Sequence, residues 1–287
     1  MLIFYVSIKK LNIGGNMNKN IVLINDISGV GKCSLMASVP IFSYFEIQPH
    51  PIVTAILSNQ TEFENFSFFD FTPHIKEYID IWEMENRKFN CIYSGFLGSL
   101  NQINIVKDFF KKHEEAIIVI DPVMGDNGKI YSTYTNEMCK EIKELIKHAN
   151  IITPNLTEAK ILTNRPLDLE INYEEGIKIL KELSDMGPDI VVLTGVKEKG
   201  IIKNLCYKKS SNEYFQASGK YYNYSFSGTG DIFTSIFISL ILNGIEIGEA
   251  LKKATDAVIK GIEESIKEEF DTREGIKFEK VLKSINI

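Results

Sequence analysis

Ile21-Val22-Leu23-Ile24-Asn25-Asp26-Ile27-Ser28-Gly29-Val30-Gly31-Lys32 begins with four consecutive β-branched or leucine residues and ends in a polar, glycine-containing turn. The first four read as a strand apolar on both faces, and Lys32 to Phe45 continues with helical composition interrupted by Pro40. The same alternation recurs downstream. Strands are predicted at Ile52-Val53-Thr54, Phe89 to Tyr93, Ala116 to Ile120, Ile151-Ile152 and Ile190 to Leu193. Helical patterns fall between them at about 73–85, 101–113, 136–148, 155–163 and 172–185. Strands that are greasy on both sides and separated by helices predict an α/β fold, with a mostly parallel central sheet covered by helices on both faces. Two consecutive strand-like pieces, near 201–208 and 212–218, predict an antiparallel hairpin at one edge, and the chain closes with helices at 231–243, 246–265 and 276–284.

With 287 residues, 44% hydrophobic and 24% charged, the chain can bury a sizeable core and is neither disordered nor a disulfide scaffold. Its net charge of -6 gives no electrostatic grip on nucleic acid or on an anionic membrane. Arg87, Arg165 and Arg273 are the arginines among 32 basic residues, so a bound phosphate must be held largely by backbone amides and lysine. Cys33, Cys91, Cys139 and Cys206 are far apart and read as reduced, buried thiols of a cytoplasmic protein. His50, His74, His113 and His148 are equally scattered, which leaves a locally built zinc site unsupported. The apolar run Met1 to Ile8 is short, lacks a preceding basic segment and has no small-residue cleavage site, a poor signal peptide. Because Met17 lies just before the first strand, residues 1–16 read as an extra N-terminal segment and 17–287 as a single domain.

Ligands of open α/β sheets gather at the carboxyl ends of the strands. Ser227-Gly228-Thr229-Gly230-Asp231 precedes the apolar helix Ile232 to Asn243. Two glycines let a ligand approach the backbone, and the helix start offers unpaired N–H groups and the positive end of the dipole. Asp231 beside such an anion hole could accept a hydroxyl proton while the amides hold a developing phosphate charge. An ordinary glycine turn, with Asp231 favouring the helix dipole, accounts for the same residues. Asp121-Pro122-Val123-Met124-Gly125-Asp126-Asn127-Gly128 follows a strand, and Asp121 with Asp126 could orient hydrated Mg²⁺ near a polyphosphate. In Thr153-Pro154-Asn155-Leu156-Thr157-Glu158, Asn155 and Glu158 have the spacing of a helix-capping pair, and the same groups could face a Mg²⁺–phosphate site. Ser28-Gly29-Val30-Gly31-Lys32-Cys33-Ser34 fails the P-loop spacing, because Asp26 and Cys33 stand where glycine and Ser/Thr are needed. It reads instead as a tight turn whose Ser28 lines a small-molecule pocket, to which Ser58-Asn59-Gln60-Thr61 and Ser94-Gly95-Phe96 could contribute.

Taken in order over residues 20–265, these segments resemble the ribokinase-like superfamily and, within it, the vitamin B6 kinases. The carriers are Asp26-x-Ser28-Gly29-x-Gly31, Ser58-Asn59-Gln60-Thr61, Ser94-Gly95-Phe96-Leu97-Gly98-Ser99, Asp121 to Asp126, Thr153-Pro154-Asn155-x-x-Glu158 and Gly228-Thr229-Gly230-Asp231. The resemblance implies ATP-dependent phosphorylation of the 5′-hydroxymethyl group of pyridoxal or a related vitamer. In it Asp231 is the base, the amides of Gly228, Thr229 and Gly230 form the anion hole, and Asp121, Asn155 and Glu158 arrange Mg²⁺ and phosphates. Asp126 would join them, Thr153 and Thr194 would lie near ATP, and Ser28 and Thr61 would hold the polar atoms of the pyridine ring. Relatives often need K⁺ and are commonly homodimers.

Gln60 stands where the family often has histidine, Glu62 where it has a small residue, and Phe96 where many members have tyrosine. These departures leave the phosphoryl-transfer side intact and bear on the choice of vitamer. The Asp26 to Gly31 turn also looks like that of hydroxymethylpyrimidine kinases of thiamine synthesis, the alternative reading. An ATP-dependent hydro-lyase acting on a damaged nicotinamide cofactor and a non-catalytic vitamer sensor share the fold and are the remaining alternatives.

Overall fold

A computed structural model describes residues 19–285; the segment 1–16 and Met17 lie outside the described residues. The strands and helices follow in the order β1 (Asn20–Ser28), α1 (Ser34–Tyr44), β2 (Gln48–Leu57), β3 (Phe68–Asp70), α2 (Thr72–Met84), β4 (Cys91–Ser94), α3 (Leu100–Lys112), β5 (Ile117–Ile120), β6 (Gly125–Asp126), β7 (Lys129–Ile130), α4 (Asn136–Leu145), β8 (Ile151–Ile152) and α5 (Leu156–Leu162). They continue with α6 (Tyr173–Asp185), β9 (Ile190–Glu198), β10 (Ile201–Lys208), β11 (Glu213–Lys220), α7 (Thr229–Leu242), α8 (Ile247–Lys267) and α9 (Phe278–Leu282). Nine strands form one sheet in the order β11-β10-β9-β8-β5-β4-β1-β2-β3. The pairs from β2 through β1, β4, β5 and β8 to β9 are all parallel, while β9–β10, β10–β11 and β2–β3 are antiparallel.

The two-residue period of a strand explains why β1 is apolar throughout. Ile21 and Leu23 join Cys91, Tyr93 and Val119 under α1, α7, α8 and α9, whereas Val22 and Ile24 join Ile92, Ile118 and Ile120 under α2 to α6. Each such isoleucine or leucine contributes roughly 1.5–3 kcal/mol on leaving water. Helix α7 is buried at every position from Ile232 to Leu242, so it is central and packed on all sides.

Two local readings are corrected. Pro40 does not interrupt α1, which runs through it to Tyr44; the proline sits on the exposed side, where its missing N–H leaves a carbonyl to water. The second strand is much longer than 52–54 and contains Pro49 and Pro51. Gln48 donates to Lys19 O, so the alternating prolines turn their N–H-less side outward, where β3 pairs only with Ala55 to Leu57. Two short pairs, β3 with β2 and β6 with β7, carry too few residues for periodicity to reveal them.

Because the central strands run parallel, the turns after β1, β4, β5, β8 and β9 emerge at one edge of the sheet. The N-terminus of α7 meets them there.

Candidate active site

Gly228 caps α7 with φ of 74°, in the left-handed region, and a Cβ at that position would lie 2.1 Å from Lys32 O. Only glycine fits this crossing of the α7 start and the β1 turn. The amides of Gly228, Thr229 and Gly230 find no acceptor among the described residues. Asp231, three residues into the helix, does not fold back to cap them. Its Oδ2 accepts the Ser34 N–H at 2.8 Å and its Oδ1 accepts from Asn25 Nδ2 at 3.2 Å. The dipole-favouring reading of Asp231 is therefore incomplete: both oxygens are tied to the β1 side of the cleft. Ser34 adopts φ of 51° to aim its N–H there, a conformation that costs a non-glycine residue about 1–2 kcal/mol.

Two cavities meet at this point. The larger, 650 Å³, runs from Asp121 and Glu158 past Thr194 and Asn204 to the apolar face of α8 at Val258 and Ile262. The smaller, 130 Å³, is lined by Asp26, Ser28, Gln60, Thr61 and Phe96 among others. Gly228 and Asp231 belong to the walls of both. Most of the residues singled out in the sequence are gathered here: Asp121, Asp126, Thr153, Asn155, Glu158, Thr194 and the 228–231 turn on the large cavity, and Ser28, Gln60, Thr61 and Phe96 on the small one, whereas Ser58, Asn59, Ser94 and Gly95 line neither.

Their local bonds sort them further. Asn155 and Glu158 form the reciprocal capping box at the start of α5, Asn155 Oδ1 accepting the Glu158 N–H at 3.0 Å and Glu158 Oε2 accepting the Asn155 N–H at 2.8 Å. Asn155 Nδ2 donates to Gly125 O, so the asparagine amide is spent on structure and its effect on the cavity passes through Glu158. Asp126 caps the β6–β7 turn, accepting from the Asn127 N–H and Nδ2 at 2.7 and 3.0 Å, and lies at the rim. Thr153 Oγ1 accepts from Thr234 Oγ1 at 3.0 Å, pinning the end of β8 to α7. Ser28 Oγ donates to Asp26 Oδ2, and Gln60 is a bracket: its Nε2 donates to Arg273 O and its Oε1 accepts the Glu62 N–H.

The charges are unbalanced. Burial pushes the carboxyls of Asp121 and Glu158 well above the usual range, with Asp231 adding to the first and Asp121 to the second. The Asp121 carboxylate has no hydrogen-bond donor among the described residues, and a Cβ on Gly230 would stand 3.7 Å from its Oδ2. Burial also raises Asp231 to about 6, against the lowering effect of the Ser34 N–H. Among the described residues no group of three His, Cys, Asp or Glu forms a cage. Two facing carboxylates short of positive charge suit a divalent cation completed by phosphate oxygens and water, so the donor set fits Mg²⁺. On the opposite wall Lys197 Nζ donates to Tyr221 OH at 3.1 Å and lies over its ring.

Sequence reasoning missed Asn25, Lys197 and the apolar α8 wall. Asn25 carried one available signal, a polar residue ending an apolar strand; the α8 wall carried none, since helix periodicity does not say which strand a helix covers.

The profile of a family described as phosphomethylpyrimidine kinase matches residues 35–276. The chain belongs to that family. A Bacteroides thetaiotaomicron protein assigned by inference as a phosphomethylpyrimidine kinase, in a crystal form with pyridoxal, is 38% identical and superposes with a TM-score of 0.90 over 94% of this chain and 97% of that one. The Entamoeba histolytica pyridoxal kinase structure is 26% identical, with a TM-score of 0.84 over 93% of this chain and 95% of that one. A pyridoxal kinase of Actinobacillus pleuropneumoniae is 29% identical over 184 residues, 61% of this chain and 63% of that protein. The chain's matches to curated relatives span from 46% to 63% of their length. Membership of the phosphomethylpyrimidine kinase family and these superpositions make the fold ribokinase-like, as the ordered motifs implied.

Proposed function

We propose that this protein is an ATP-dependent kinase that phosphorylates the 5′-hydroxymethyl group of a B6 vitamer. The observation that carries the reading is that a ring-sized 130 Å³ cavity and a 650 Å³ cavity meet at Asp231 and Gly228. An acceptor ring on one side and a nucleotide on the other bring hydroxyl and γ-phosphate together at those two residues. Asp231, with a carboxyl near 6, is ionised at neutral pH and basic enough to take the hydroxymethyl proton. As it does so, the alcohol oxygen bonds to the γ-phosphorus, the bond to the bridging oxygen breaks and ADP leaves. The amides of Gly228, Thr229 and Gly230 hold the migrating phosphoryl charge, work that is mainly positioning and electrostatics.

Asp121 and Glu158 would hold Mg²⁺, which when bound supplies charge neutralisation for the phosphates. Thr153 and Thr194 would border ATP, with Asp126 at the rim. Ser28 and Thr61 would meet the ring's polar atoms, with Phe96 against its face. K⁺ activation, a homodimer and a cytoplasmic setting belong to the same reading; the four cysteines, all buried and unpaired, agree with a reducing compartment. No described helix is long and apolar enough to cross a membrane.

Pyridoxal is favoured over hydroxymethylpyrimidine because a 38% identical relative was crystallised with it and named pyridoxal kinases are among the curated relatives. The family's own description favours the pyrimidine. An ADP-release assay over pyridoxal, pyridoxamine, pyridoxine and hydroxymethylpyrimidine, with mass analysis of the product, tests both. A phosphorylated vitamer with stoichiometric ADP is expected. ADP with free phosphate, or tight vitamer binding without ADP, would replace the kinase by the hydro-lyase or the sensor.

A further inference from the structure

Asn25 stands three residues before the end of β1 with 2% of its surface exposed, and every polar atom of its amide is used. Its Oδ1 accepts the N–H groups of Phe96 at 2.9 Å and Asp26 at 3.0 Å. Since two backbone donors converge on one atom, that atom must be the oxygen, and the amide nitrogen is the one facing Asp231 Oδ1 at 3.2 Å. The side chain thus clamps three elements, the C-terminal half of β1, the end of β4 and the start of α7. Gly95 is shaped to it, for a Cβ there would stand 2.4 Å from Asn25 Nδ2. The other fixed donor to Asp231 is a backbone N–H, that of Ser34. The carboxylate also faces the buried Tyr93 hydroxyl and the carboxyls of Asp26 and Asp121, and among these neighbours Asn25 is the side-chain amide that both donates to it and is itself locked in place by two backbone N–H groups.

We infer that Asn25 is a positioning residue for phosphoryl transfer, holding the Asp231 carboxylate toward the junction of the two cavities. The inference rests on the reading of Asp231 as the base. A donated hydrogen bond favours the charged form of a carboxylate, whereas a second carboxylate in its place favours the protonated one. Asn25→Asp is the sharpest probe: it keeps the shape and an oxygen for the Phe96 and Asp26 amides while removing the donor. Gly95→Ala is the independent probe, since its methyl displaces the amide without deleting it.

The measurement is kcat and KM for ATP and pyridoxal across pH 5 to 9. For Asn25→Asp and Gly95→Ala alike, the acid limb of the rate profile is expected to move up by about one pH unit, about a tenfold change in proton affinity. KM for ATP should stay within about threefold, because the clamp lies on the acceptor side. In an Asp231→Asn background, Asn25→Asp should cost nothing further. A uniformly lowered profile with its acid limb unmoved would reduce Asn25 to a structural bracket and overturn the inference. Wild-type turnover in Asp231→Asn alone would instead remove the base itself, a separate and recognisable failure.

Discussion

Asp231 combines two properties that a capping aspartate lacks. Its oxygens are held by Ser34 and Asn25 across the cleft, and burial lifts its carboxyl to about 6. The Asp231→Asn amide is nearly isosteric, so it is expected to fold and bind ATP but lose about 10²–10⁴ of kcat, the usual worth of a positioned general base. Protonation removes the acceptor, so wild-type kcat/KM should fall as pH drops through about 6 and be flat just above it. A plateau extending well below pH 5 would contradict the assigned base. Much of this was legible in the sequence: Gly228-Thr229-Gly230-Asp231 announces an amide-lined helix start whatever surrounds it. That the aspartate turns away from its own helix was not legible, because its partners lie 197 and 206 residues away in the chain.

Helix α5 shows how an element positions a charge. Its capping box uses the Asn155 amide completely and fixes Glu158 Oε2 on the Asn155 N–H, while Oε1 accepts the Met124 N–H at 3.3 Å. Asn155→Ala should therefore lower stability by about 1 kcal/mol, seen as a shifted urea midpoint at constant slope. It should also raise KM for ATP more than it lowers kcat, because Glu158 loses its anchor. Unchanged KM would mean that the box serves α5 alone. Here the N-x-x-E spacing foretold the cap, while the link from Asn155 Nδ2 to Gly125 O depended on how the β5 and β8 turns lie together. For α1 composition misled: a proline on the solvent side interrupts no packing, and burial of Leu35, Ala37, Ile41 and Phe42 holds the helix through it.

Across the whole molecule, the layer under α2 and α3 contains a titratable group with no polar partner. His113 is buried, neither ring nitrogen is hydrogen-bonded, and Phe109 and Phe89 lie 4.5 and 5.4 Å from it, centroid to centroid. Burial lowers its pKa, more than the nearby Glu115 raises it. The charged form is thus worse in the folded state than in the unfolded chain. Stability linked to His113 is fully present above the unfolded histidine value, about 6.5, and is lost as pH falls below it. The raised carboxyls of Asp121, Glu158 and Asp231 act in the opposite direction and equally in both proteins, so the histidine is read as a difference. Relative to His113→Leu, the wild-type urea midpoint should drop between pH 7.5 and 5.5, and a pH-independent difference would exonerate the histidine.

By itself the sequence determined the strand–helix alternation, the parallel sheet and the acidic and glycine turns that end its strands, because side-chain periodicity and turn chemistry act over a few residues. Only the tertiary structure decided that two cavities join at Asp231, that Asn25 aims it and that α8 walls the larger cavity. Those facts depend on which distant segments share an edge of the sheet, and no local pattern encodes that neighbourhood.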